Sequence, residues 1–191
     1  KTSRAVSWSN LLSEPWFTLY GFISIIVYKD LGASAFLISL VTMLKPVVTI
    51  FSFYWRLGSL RSSVLWAGFF MRAPFLLCPW FDSAWFLAVA VVNYMFFYRA
   101  AIPAWVEILK RSLPNQRDRA FSMSSAWGYL EGVGLSLAVG GLLDAESGLW
   151  KMCFFVAALI GLGSLWVQSR IAVVDSPRGP KASWKELVVK P

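Results

Sequence analysis

Five ionisable side chains stand inside stretches of this sequence that are otherwise apolar: Glu14, Lys45, Arg72, Arg99 and Glu131. A charge at the centre of a bilayer helix costs about 2.5–3.5 kcal/mol on insertion scales, so each asks for a use. Lys45 has Thr42, Thr49 and Ser52 at offsets −3, +4 and +7, which puts one polar stripe on one helical face. Glu131 shares its face with Ser124, Trp127, Gly128 and Gly134, and Glu14 begins a stripe through Thr18, Gly21, Ser24 and Tyr28. Arg72 is central in its own apolar run, and Arg99 follows Asn93 and Tyr94. Cations of this kind hold anions, and carboxylates take protons or cations. Several such stripes turned toward one another would build a water-accessible cavity at mid-depth. The plainer alternative is a structural ion pair between Lys45 and Glu131, with Arg99 reaching back to the interface.

The elements that must carry these groups are apolar runs of membrane length. Of 191 residues, 58% are hydrophobic and 15% charged, against about 25% charged in a soluble domain. A hydrocarbon core of about 30 Å needs about 20 helical residues. Six all-α crossings are predicted, at about 11–28, 33–55, 64–81, 83–106, 121–143 and 149–171. Ser13-Glu14-Pro15 reads as a helix start, and Pro79 with Asp82-Ser83 as a helix end.

Orientation follows from the loops. Glu107–Arg119 gathers Lys110, Arg111, Arg117 and Arg119 around a Pro114-Asn115 turn, and a second basic loop runs from Arg56 to Arg61. Of the 18 basic residues, thirteen fall on the side of these loops and of both termini, and only Lys29 and Lys151 fall opposite. Short basic loops stay inside during insertion, so both termini are expected in the cytoplasm and the chain in the plasma (inner) membrane. Residues 172–191 are read as a cytoplasmic linker, with Ser183-Trp184-Lys185-Glu186 as a capping box that starts an amphipathic helix.

Other classes drop out. The net charge of +8 is placed by topology and not as a nucleic-acid patch, so no nucleic-acid partner is expected. No histidine is present, so a His-based metal site or triad is excluded, and no metal or cofactor is expected. Cys78 and Cys153 have neither zinc nor disulfide spacing and read as small apolar residues. No nucleophile–base constellation marks an enzyme. Gly128, Gly132 and Gly134 lie at spacings that let another helix approach closely. The chain begins at Lys1 without Met, as an interior piece of a longer protein would.

Six crossings with both ends inside, the outer-loop sequence Leu31-Gly32-Ala33-Ser34 and the basic loop after the second crossing resemble the amino-terminal half of a major facilitator superfamily transporter. Arg56, Gly58 and Arg61 match that family's gating loop, whereas Trp55 stands at the position of its acid. Arg99 matches the arginine of the family's fourth helix, followed here by Pro103, and Gly128 and Gly132 match the start of its fifth-helix glycine motif. The resemblance implies that helices one, two, four and five line the path, with three and six outside. It also implies a second six-helix half as partner, beside the lipid bilayer and a small-molecule solute.

The expectation is therefore secondary active transport of a small solute by alternating access, this chain supplying one half. Three basic groups in the membrane lean toward an anionic solute. The alternative is a membrane scaffold or accessory subunit that transports nothing.

Overall fold

The computed structural model describes residues 2–55, 57–113 and 117–171, and the side chains of residues 117 and 119–121 are not among those described. The linker at 172–191, the Pro114-Asn115 turn and Arg56 lie outside them. Among the described residues the protein is all helical, with five helices or helix pairs long and apolar enough to cross a membrane.

The first run holds two helices. α1 (Thr2–Leu11) precedes the expected first crossing, and α2 (Glu14–Lys29) follows after a break at Leu12-Ser13. Pro15 causes the break: it has no N–H for the Leu11 carbonyl, and its ring crowds that carbonyl. The chain re-forms at once, Phe17 N donating to Ser13 O at 3.2 Å. Val6 and Ser9 are buried, α1 packs on α6 and α7, and Asn10 Nδ2 donates to Ser124 Oγ at 2.6 Å.

α3 (Ala35–Ser52) starts at an N-cap, Ser34 Oγ accepting from Leu37 N at 3.3 Å. Its Pro46 leaves the Thr42 carbonyl without an intrahelical donor. α4 (Leu60–Arg72) is capped by Ser59. It stops at Arg72 and continues as a 3-10 segment, Ala73–Trp80, containing Pro74 and Pro79. The expected third helix is thus broken in two and is absent from the five long helices. The two pieces still extend about 35 Å at the rises of α and 3-10 helix. α5 (Ala84–Ser112) and α6 (Arg117–Ala145) both run further toward the basic loop than expected. α7 (Leu149–Ser169) begins after Gly148, whose φ of 94° requires glycine.

α2 is the hub. Its Trp16, fully buried, touches Phe75 of the 3-10 segment, Tyr94 of α5 and Phe154 of α7, with ring centroids 4.2, 5.5 and 5.7 Å away. α3 packs on α5, α5 on α4, α4 on α7, and α6 on α1 and α2. A second apolar cluster, with Val6, Leu60, Ile108 and Ile171, closes the end nearer the basic loops. The two ends differ in charge. At one, Lys29 pairs with Asp144 at 2.7 Å and Lys151 with Asp82 at 2.9 Å. At the other, Arg61 Nη2 donates to Ile171 O at 2.7 Å and Arg111 pairs with Glu107 on its own helix.

Much of the outer surface is apolar, with Leu137 76% and Phe36 70% exposed. A protein in water keeps such patches small, so long apolar helices bare on their outer faces fit a membrane protein.

Candidate functional site

The face of α2 that nothing covers is the centre of the site. Phe17, Gly21, Ser24, Ile25 and Tyr28 are exposed along it, whereas Trp16, Leu19, Ile23 and Ile26 point into the core. Charged groups of opposite sign stand on its two flanks.

On the flank of α3 and α5, the Lys45 ammonium lies 5.7 Å from the centroid of the Tyr20 ring. Tyr20 is the first of a run of rings: Tyr94 is 4.5 Å from it and Tyr98 5.6 Å beyond, with Phe17 at 5.9 Å from Tyr98. Arg99, exposed, ends the run 5.9 Å from the Tyr98 centroid. Beside Lys45 a pocket opens between α2, α3 and α5, with Ser24, Thr42 and Tyr20 as its other polar walls. The rest of it is apolar and includes Ile23, Val27, Leu37 and Val41. The Tyr20 hydroxyl is buried with no hydrogen-bond partner, and no carboxylate pairs with Lys45 among the described residues.

On the flank of α6, the Glu14 side chain lies against the bare backbone at Gly128 and Gly132. A Cβ at these positions would meet its carboxylate oxygens at 3.2 and 2.8 Å. Glu131 precedes Gly132 on the same helix, and its Oε2 is buried without a partner among the described residues. Trp127 is exposed on the same helix.

The expected groups are therefore sorted differently from their sequence pattern. Lys45 and Glu131 form no ion pair; α2 packs on α6 and shares the Lys45 pocket with α3, so it stands between their helices. The hydroxyls of the Lys45 stripe bond their own helix: Thr42 donates to Ile38 O, Thr49 to Lys45 O and Ser52 to Thr49 O. Thr42 still lines the pocket. Asn93 is a tie, its Nδ2 donating to Phe70 O on α4 at 2.7 Å. Tyr94 is core, 2% exposed. Gly128 and Gly132 admit a carboxylate and not a neighbouring backbone, and Gly134 faces open space. In the expected gating loop Gly58 is open, Arg61 is tied to the end of α7, and Trp55 packs edge-on against Phe97 at 5.0 Å.

Arg72 is the largest departure. It is 1% exposed and touches no carboxylate among the described residues. Nη1 donates to Gly68 O at 3.0 Å, and Nη2 to Ser13 Oγ at 3.2 Å and Ser164 Oγ at 3.5 Å. Each serine has committed its proton to a carbonyl, Ser13 to Ser9 O and Ser164 to Gly161 O, so each offers Arg72 a lone pair. Gln168 Nε2 donates to Ser9 Oγ at 2.7 Å and extends the network to α1. The guanidinium thus clasps α4, α7 and the break before α2, away from the open face. Sequence reading noted Arg72 but not its cage, since Ser13 and Ser164 lie 59 and 92 positions from it. Tyr20 and Tyr98 were missed too; their place one turn from Ser24 and beside Arg99 was the available signal.

No family model, curated protein or solved structure matches this chain.

Proposed function

We propose that the chain is one half of a secondary transporter in the plasma (inner) membrane, moving a small anionic solute between itself and a second six-helix bundle. The observation that carries this is the pair of charged flanks on the open face of α2. Lys45 and Arg99 stand on one side and Glu14 and Glu131 on the other, with no ion pair between the sides among the described residues. Ionisable groups left unpaired at membrane depth belong to pathways more often than to scaffolds, because a scaffold gains nothing for their insertion cost. The resemblance to the major facilitator superfamily supports the same reading: α2, α3, α5 and α6 carry the flanks, while α4 and α7 pack together behind them. In this reading both termini are cytoplasmic, and Lys29, Asp82, Asp144 and Lys151 mark the outer end.

The test needs no known solute. With Cys78 and Cys153 replaced by Ala, Ser24→Cys and Arg99→Cys are treated with a membrane-impermeant maleimide from each side. An open pathway makes both reactive, and crosslinking one end shut removes reactivity from that side alone. Reaction of both positions only with lipid-soluble reagents would mean that α2 faces lipid, and the transporter reading would fall.

A further inference from the structure

The pocket beside Lys45 has the chemistry of a particular ligand class. Its polar end presents the Lys45 ammonium, with three N–H bonds, the Tyr20 ring 5.7 Å away and no acid beside it among the described residues. The Thr42 proton is already given to Ile38 O, so Lys45 is the charged donor of this end. A ligand that satisfies this cation brings an anionic acceptor. The remaining wall, from Ile23, Val27, Leu37, Val41 and Val91, is aliphatic and offers nothing to a polar body. None of the lining residues is acidic, so a ligand ammonium would enter without a counter-charge.

From these features we infer that this pocket binds a short aliphatic monocarboxylate, its carboxylate on Lys45 and its chain along Val27, Val41 and Val91. The inference rests on the transporter reading for its purpose but not for its chemistry, because binding is a property of this chain's own residues. It predicts discrimination by charge type: a carboxylic acid binds, and the amino acid of the same skeleton does not, its ammonium lacking a partner.

The experiment titrates the purified chain in phosphatidylcholine nanodiscs with hexanoate, hexanol, hexylammonium and norleucine, read by calorimetry and thermal shift. Hexanoate is expected to bind saturably, with norleucine, hexanol and hexylammonium each at least tenfold weaker. Lys45→Met is expected to weaken hexanoate at least tenfold. Val41→Trp, which fills the apolar wall and leaves the ammonium in place, should abolish it. Hexylammonium or norleucine binding as tightly as hexanoate, or hexanoate affinity unchanged in Lys45→Met, would overturn the assignment. So would an acidic phospholipid, added to the discs, binding through Lys45 while no short carboxylate does. Saturable, Lys45-dependent hexanoate binding with no cysteine reactivity along α2 would keep the site and discard transport. Reactive cysteines with no carboxylate binding would do the reverse.

Discussion

Gly161 on α7 is where the Arg72 clasp is most easily broken. A methyl group at this position falls on Arg72 Nε and 2.9 Å from its Cδ. These are mid-chain atoms of a side chain anchored at its far end, so they cannot swing aside freely. Making room means giving up some of the bonds to Gly68 O, Ser13 Oγ and Ser164 Oγ, or moving α7 away from α4. Overpacking of a dense core costs about 1–3 kcal/mol, and a hydrogen bond to a charged group about 1.5–3 kcal/mol. Since part of the bonding can re-form, Gly161→Ala is expected to cost about 2–4 kcal/mol, a fall in Tm of about 5–15 °C for a chain of this size. Arg72→Met takes the opposite direction. A buried guanidinium with no counter-ion among the described residues loses its hydration without a Coulombic return, so an apolar replacement of similar length is expected to be neutral or mildly stabilising. In the Arg72→Met background the flexible thioether yields to the new methyl, and Gly161→Ala should then change stability by less than about 0.5 kcal/mol. The assay is thermal unfolding in mild detergent, followed by the fluorescence of the 11 tryptophans, on wild type, both singles and the double. An equal penalty for Gly161→Ala in both backgrounds would refute the clasp, as would no penalty in the wild type.

Two further outcomes are expected. Trp16→Ala should lower stability by about 3–5 kcal/mol, because a fully buried ring in contact with Phe75, Tyr94 and Phe154 leaves a cavity that three helices cannot close; Trp16→Phe should cost well under half of that in the same unfolding assay. Glu146→Cys, in the cysteine-free background, should react with an impermeant maleimide in intact cells, and Lys185→Cys only after permeabilisation; the reverse pattern would invert the proposed orientation.

The apolar runs and their number of turns were legible in the amino-acid sequence because a membrane-length helix depends on local composition alone. So was the segregation of charge between the two ends, since loop composition records it directly. The polar stripes were legible too, because residues three and four apart must share a helical face. What those faces meet was not legible. Lys45 and Glu131 were equally good partners on paper, and only the packing of α2 between their helices separates them and leaves Lys45 with Tyr20. Nor did composition tell an arginine on a pathway from one in a cage: Arg72 is held by Ser13, just before α2, and Ser164 of α7, brought to it by helix packing. The breaks at Pro15 and Pro74 lie between these cases. Both prolines were visible, but whether a proline ends a helix, kinks it or passes into 3-10 turns depends on what replaces the lost hydrogen bond. Periodicity states which side chains share a face; the docking of faces is a competition among all helices at once, and only the folded bundle resolves it.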